Sequence, residues 1–361
     1  MAYTTIDDPS AYFQTLLYTG DGNDNRNLVN TGNSDLQPDW IWNKRRDSTS
    51  NHFIFDSSRG TSNIVVTDTN EAEGTNTNQL QAFQTDGFQL GSDNGSNGSG
   101  RTMVAWQWKA NGGTTTTNDA SSTGVGNTDS VYQANTTAGF SIVTWTGPSG
   151  SDARTMAHGL GGTPELIIYK NRDEAVNWYV GTSAITFNFN TDYLQLNTTI
   201  AKATDAGGTV FVSAPTSTVI GASSSAASGK ENIKYVAYCF RSIQGYSKFG
   251  SYTGNGNADG PFIYTGFKPA LIIRKVTSAT GGWLIQDNKR TTFNGSNSTT
   301  NGLRPNSNEA EFDFFDIDYL SNGFKIRTTE ANHNASGETF IYMAFAEHPF
   351  VSSEGVPTTA R

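Results

Sequence analysis

If this chain catalyses anything, the groups to do it lie in Glu309-Ala-Glu-Phe-Asp-Phe-Phe-Asp-Ile-Asp318, its densest run of carboxylates. Side chains alternate along a strand, which puts Glu311 and Asp313 on one face, and a bulge would bring Asp316 beside them. Two carboxylates about 5.5 Å apart can act as nucleophile and acid/base in glycoside hydrolysis with retention. No evident aromatic platform for sugar subsites flanks the run. The expectation is a solvated acidic strand and no enzyme, with a hydrolase using Glu311 and Asp313 as a remote alternative.

The other reactive groups are scattered. His52, His158, His333 and His348 lack the spacing of a zinc site. Asp21-Gly-Asn-Asp24 opens like a calcium loop, but its twelfth position is Gly32 where a bidentate Glu is needed, so a plain turn is expected. Structural calcium in other Asn/Asp-rich loops is a minor expectation. Gly254-Asn-Gly256 reads as turn chemistry, not a phosphate cradle. No catalytic, cofactor or metal residue is therefore assigned. Asp56-x-x-Arg59 and Asp287-x-x-Arg290 recur at matching places, and read as a salt bridge or as a contact to a neighbouring subunit.

Composition narrows the class. The 361 residues carry 16% charged and 12% aromatic side chains. Abundant Thr, Tyr, Phe, Trp, Gly and Asn point to an all-β chain. A net charge of −9, with no basic cluster larger than Lys44-Arg45-Arg46, argues against nucleic acid. Cys239, the sole cysteine, lies in the apolar run Tyr235–Phe240 and is expected buried and inert. The start MAYTTIDDPS has no secretory pattern, and no apolar run reaches membrane-spanning length. The expectation is folding in a reducing cytoplasm, without membrane insertion.

One pattern occurs three times. Phe13 opens FQTLLYTG, Phe140 opens FSIVTWTG and Tyr246 opens YSKFGSYTG. Each is followed by a run from Pro to Lys: Pro38 to Lys44, Pro164 to Lys170 and Pro269 to Lys275. A third element starts at His52, Asn177 and Trp283. Asp86-Gly87 and Asn322-Gly323 mark tight turns late in copies one and three, while copy two offers Gly208–Val212 there. Each copy closes on hydrophobic-Ala-aromatic: Val104 to Trp106, Val236 to Tyr238 and Met343 to Phe345. A period of about a hundred residues suits tandem β-sandwiches of jelly-roll or lectin-like type. The Pro-to-Lys runs read as inner strands, with the Lys head reaching water.

The boundaries follow: an N-terminal polar arm over 1–11, sandwich repeats over 12–110, 138–243 and 244–350, and a C-terminal tail over 351–361. Between the first two repeats, 111–137 reads as a Gly/Thr/Asn-rich linker or exposed loop. Repeats two and three, with almost no linker, are expected to pack rigidly. Loops such as Gly91–Gly100 and Asn294–Thr300 suit adaptable hydrogen bonding. Formal glycosylation acceptors at Asn94, Asn97, Asn135, Asn197, Asn294, Asn297 and Asn334 are expected unmodified.

Three blocks carry a resemblance: MAYTTIDDPSAYFQTLLYTGDGN, GYSKFGSYTGNGNADGPFIYTGFKPALIIRK and YMAFAEHPF. They resemble an uncharacterised domain family of marine bacteriophage and cyanophage virion structural proteins, over nearly all of 12–350. That resemblance implies a concanavalin-like β-sandwich in a tail, fibre or head-decoration component, and supplies no catalytic residues. Separately, Glu311-x-Asp313-x-x-Asp316 resembles the Glu-x-Asp-x-x-Glu of retaining β-glucanases, with Asp in place of the last Glu. The expected function is a virion surface protein of fibre, spike or adhesin type binding host-surface polysaccharide. The alternative is a capsid or tail decoration protein acting by self-assembly. Expected partners are other virion proteins and further copies of the chain, with a homotrimer as the first guess.

Overall fold

The Pro-to-Lys runs form strands buried on both faces, and that double burial explains the architecture. The computed structural model describes residues 2–290, 300–314 and 316–358. Unit one contains β1 (Phe13–Thr19), β2 (Arg26–Leu28), β3 (Trp40–Arg45), β4 (His52–Asp56), β5 (Gly60–Val66), β6 (Gly74–Thr75), β7 (Leu80–Gln84), β8 (Gly87–Leu90), helix α1 (Asn94–Asn97) and β9 (Thr102–Trp108). Unit two contains β10 (Thr116–Asn118), α2 (Ala120–Thr123), β11 (Ser130–Asn135), β12 (Phe140–Thr146), β13 (Arg154–Ala157), β14 (Leu166–Asn171), β15 (Tyr179–Thr182), β16 (Asp192–Gln195), β17 (Ala203–Thr204), β18 (Val219–Ala222) and β19 (Lys234–Phe240). Unit three contains β20 (Ser247–Thr253), β21 (Phe262–Tyr264), β22 (Phe267–Val276), β23 (Trp283–Asp287), β24 (Thr300–Gly302), β25 (Phe312–Phe314), β26 (Ile317–Leu320), β27 (Gly323–Ile326), α3 (Ala331–Asn334) and β28 (Thr339–Pro349).

The protein is all-β, and each unit is a sandwich built the same way. Its large sheet sets the first strand beside the last, then the Pro-to-Lys strand, then the third: β1-β9-β3-β4, β12-β19-β14-β15 and β20-β28-β22-β23. A smaller layer covers one face: β2-β8-β7, β13-β18 and β21-β27-β26. The other face of each large sheet turns to a core shared by all three units. Alternation assigns the side chains. In β3, Trp40 and Trp42 enter the shared core while Ile41 enters the core of unit one. Leu166 and Ile168 do the same against Ile167 and Tyr169, and Leu271 and Ile273 against Ile272. Strands covered on both faces read as continuous apolar runs, as these do.

The three sheets meet ring on ring. Trp108, Phe240 and Phe345 occupy equivalent positions, opposite Trp40, Leu166 and Leu271. Phe345 lies 5.4 Å from Trp108 and 6.0 Å from Phe240, between ring centroids. Trp40 packs 4.7 Å from Tyr238 across the first seam.

Pairing registers correct the repeat alignment in unit three. Lys44, Lys170 and Lys275 face Val104, Val236 and Ile341. The counterpart of Trp106 and Tyr238 is therefore Met343, two residues before Phe345. A shift of two leaves every side chain on the same face, so alternation alone does not detect it. Likewise Ser247, not Tyr246, stands at the position of Phe13 and Phe140.

Other segments also differ from the sequence reading. The stretch 111–137 is not simply a linker: β10 and β11 extend the large sheet of unit two, with Val131, Tyr132 and Gln133 pairing on β12. In unit two Gly208–Val212 forms no strand; β18 takes that part, although Val210 and Phe211 enter the core. The polar N-terminal arm is docked on the rest of the chain. Thr4 Oγ1 donates to the Gln244 carbonyl at 2.8 Å, Ile6 enters the shared core, and Asp7 accepts from the Ser353 amide at 2.7 Å.

Candidate functional site

The carboxylate run is pulled apart by the fold. Glu311 Oε2 accepts from Arg46 Nε at 2.9 Å and from Arg290 Nη1 at 2.8 Å. Burial alone would raise its pKa, but the two guanidiniums outweigh that and lower it. Asp313 is exposed on β25. Asp316 is buried on Arg274 of unit three. The carboxylates thus go to a seam, to solvent and to an internal ion pair. A carboxylate clamped in its ionised form is the opposite of a poised general acid.

Glu311 belongs to a larger cluster that joins units three and one. Arg290 Nε donates to Asp287 Oδ2 at 2.6 Å, and Trp106 Nε1 donates to the same oxygen at 2.9 Å. Arg46 Nη2 reaches Glu311 Oε1 at 2.7 Å, and the Glu311 amide donates to the Arg46 carbonyl at 2.8 Å. The seam between units one and two repeats this group by group. Arg59 Nε donates to Asp56 Oδ2 at 2.5 Å, and the Tyr238 hydroxyl donates to that oxygen at 2.7 Å. Glu73 accepts from Arg59 Nη1 at 2.7 Å and from Arg172 Nη2 at 2.8 Å, and its amide donates to the Arg172 carbonyl at 2.7 Å.

The seam between units two and three keeps the backbone contact and drops the charges. The Lys202 amide donates to the Thr277 carbonyl at 2.7 Å. Registers put Thr182 where Asp56 and Asp287 stand, and Met343 where Tyr238 and Trp106 stand. The acid and its ring donor are thus lost together. That is the expected pattern, because a buried carboxylate without its donors is costly whereas an apolar contact is not. Trp283 Nε1 donates to the Gln195 carbonyl here at 2.8 Å, as Trp178 Nε1 donates to Val66 at the first seam at 2.7 Å.

The repeated lysines correct another expectation. Lys44, Lys170 and Lys275 are buried, and their heads do not reach water. Lys44 Nζ donates to the Arg45 carbonyl at 2.7 Å, Lys170 Nζ to Val176 at 2.9 Å and Lys275 Nζ to Val276 at 2.6 Å. Burial lowers their pKa to about 8, about 7 and about 8. Neighbouring backbone carbonyls take the place of solvent. The sequence reading found the Asp-x-x-Arg pairs but missed Glu73, Arg46, Arg172, Tyr238 and Trp106. A signal existed: Arg follows the repeated Lys by two in copies one and two and not in copy three.

The remaining candidates resolve as structure. Asp21 accepts from the Asn23 amide at 2.9 Å and sits 3.5 Å from Arg26. His52 Nδ1 accepts from Trp42 Nε1 at 3.0 Å, which places its proton on Nε2. Cys239 is buried, and burial raises its thiol pKa. Asn97 and Asn334, two of the formal acceptors, are fully buried. Their amides clamp the loops that follow the Tyr-Thr-Gly ends, on Asn23 and Asn257 carbonyls at 2.9 and 2.8 Å. Asn294 and Asn297 lie outside the described residues. Among the described residues no group of three His, Cys, Asp or Glu is placed to hold a metal, and no helix is long and apolar enough to cross a membrane.

Residues 8–349 match the family described as a domain of unknown function, DUF7483, and the chain belongs to that family. No curated protein and no solved structure matches it.

Proposed function

We propose that this DUF7483 protein is a non-catalytic surface component of a bacteriophage particle, of fibre, spike or adhesin type, that binds polysaccharide on the host. One observation carries the binding part: the division of polar groups between inside and outside. The charged clusters Asp56–Arg59–Glu73–Arg172 and Asp287–Arg290–Glu311–Arg46 are committed to fastening units to each other. The outward turns, such as 21–25 and 255–259, are built from Asn, Asp and Gly, with Ala258 the one exception. Such turns on a rigid support are suited to recognition. The virion part rests on the three sequence blocks quoted above and on their resemblance.

The test pairs two measurements. Labelled protein on a glycan array and on candidate host cells is expected to give saturable binding that free polysaccharide removes. Quantified virions are expected to hold a few copies each. Absence of binding at high concentration, with hundreds of copies per particle, would contradict the adhesin reading and favour a decoration protein that acts by assembly.

A further inference from the structure

Unit three departs from its sister units at one spot, and the departure opens a groove. In unit one Leu16 faces Ala105 across β1 and β9, and in unit two Val143 faces Ala237. In unit three the pair is inverted: Gly250 faces Tyr342. Volume is conserved, so core packing alone does not require the exchange. Its consequence is chemical. The Tyr342 ring reaches across the edge strand β20, and a Cβ on Gly250 would meet its hydroxyl at 2.6 Å. Tyr342 is 3% exposed as a whole residue, and it lines the groove that the exchange opens.

The groove at the Tyr342 hydroxyl is open to solvent and measures about 510 Å³. It lies between β20 and β21, the edge strands of the two layers, with Ser183 and Ala184 of unit two also lining it. Its wall holds Phe262 and Tyr264, 47% and 48% exposed, two of the most exposed large apolar side chains described. The matching positions in unit one are Asn27 and Val29, set by Leu28 facing Phe88 as Ile263 faces Phe324. Two residues apart on one strand, the rings stand roughly 7 Å from each other. Tyr264 is held in place: its hydroxyl lies 3.1 Å from that of Tyr3, which donates to the Gly266 carbonyl at 2.8 Å. Lys248 Nζ sits 5.6 Å from the Tyr264 ring centroid, and Ser251 is exposed beside it.

The geometry points to a saccharide-binding groove in unit three, in which a neutral pyranose chain stacks on Phe262 and Tyr264 and one sugar hydroxyl pairs with Tyr342. Sugars have an apolar ring face and a polar rim, and the groove offers fixed aromatic faces with donors around them. This site deepens the proposed host-polysaccharide binding and takes its ligand class from that reading.

The experiment is saturation-transfer NMR and calorimetry with cellohexaose, maltohexaose, chitohexaose and a galactan hexasaccharide, on the full chain and on variants. The intact protein is expected to bind at least one with Kd below about 1 mM. Tyr264→Ala and Tyr342→Phe are each expected to weaken that binding at least tenfold. The double variant Gly250→Leu with Tyr342→Ala copies the unit-one pair, and is expected to fold and lose binding. Should it fail to fold, Tyr342→Phe decides, since it removes a single oxygen atom. Binding that is unchanged in Tyr264→Ala and Tyr342→Phe overturns the groove while leaving polysaccharide binding by another surface intact. No binding of any hexasaccharide overturns the groove, and a silent glycan array beside it overturns the adhesin reading as well.

Discussion

Buried charge in this protein is of two kinds, and they respond differently to change. In the seam clusters each ion has its counter-ion and its hydrogen bonds. Removing one partner leaves the other buried and alone, which costs about 3–5 kcal/mol. Arg59→Met is therefore expected to lower the denaturation free energy by about that amount, read by urea unfolding. The combined change Asp56→Thr, Arg59→Met and Tyr238→Met imitates the uncharged third seam and is expected to cost less than Arg59→Met alone. The repeated lysines are the second kind, held by carbonyls. The Lys170 pKa of about 7 lies below its ordinary 10.5. Between those values the unfolded chain keeps a proton that the folded chain has released, so folding gains stability as pH rises. The stability difference between the natural protein and Lys170→Met is expected to move in favour of the natural protein from pH 7 to pH 10. Of all this, Asp56-x-x-Arg59 was legible because three residues of separation fall within one turn. The partner Arg172 lies 99 residues from Glu73, and Arg46 lies 265 from Glu311. No local pattern encodes such pairings.

At the scale of elements, the sequence shows the strands well and their registers poorly. The Pro-to-Lys runs, the third elements of copies one and three and the Asp86-Gly87 and Asn322-Gly323 turns lie where alternation and turn chemistry put them, whereas in copy two the third strand starts at Tyr179, two residues after Asn177. The closing strand of unit three was misaligned by two because faces repeat every two residues. The stretch 111–137 misled for another reason: its composition is that of a loop, and β10 and β11 exist because the edge of β12 gives them a ladder to join. Turn glycines test the local argument. Gly87 has φ +96°, and a Cβ there would meet the Leu28 carbonyl oxygen at 2.0 Å. Gly87→Ala is expected to destabilise by at least about 1–3 kcal/mol. Gly74→Ala, with nothing within 4 Å of the added carbon, is expected to stay within about 0.5 kcal/mol of the natural protein. Thermal melts of the two variants side by side check both values.

At the scale of the molecule, three sandwiches close into a ring within one chain. Unit one holds unit two, unit two holds unit three, and unit three returns to unit one through backbone contacts that repeat at each seam. A threefold order of units is thus present inside one chain. Each large sheet would expose its aromatic inner face if its neighbours left. Trp40, Trp108, Phe240 and Phe345 would then face water, and aromatic side chains of this kind bury about 150–250 Å² each. At about 25 cal/mol per Å², a unit that separates loses several kcal/mol for each ring. The units are therefore expected to unfold together. Differential scanning calorimetry tests this most directly. The account predicts one transition, with calorimetric and van't Hoff enthalpies equal, that Arg59→Met shifts down as a whole. Two or three resolved transitions, of which Arg59→Met moves only one, would contradict it.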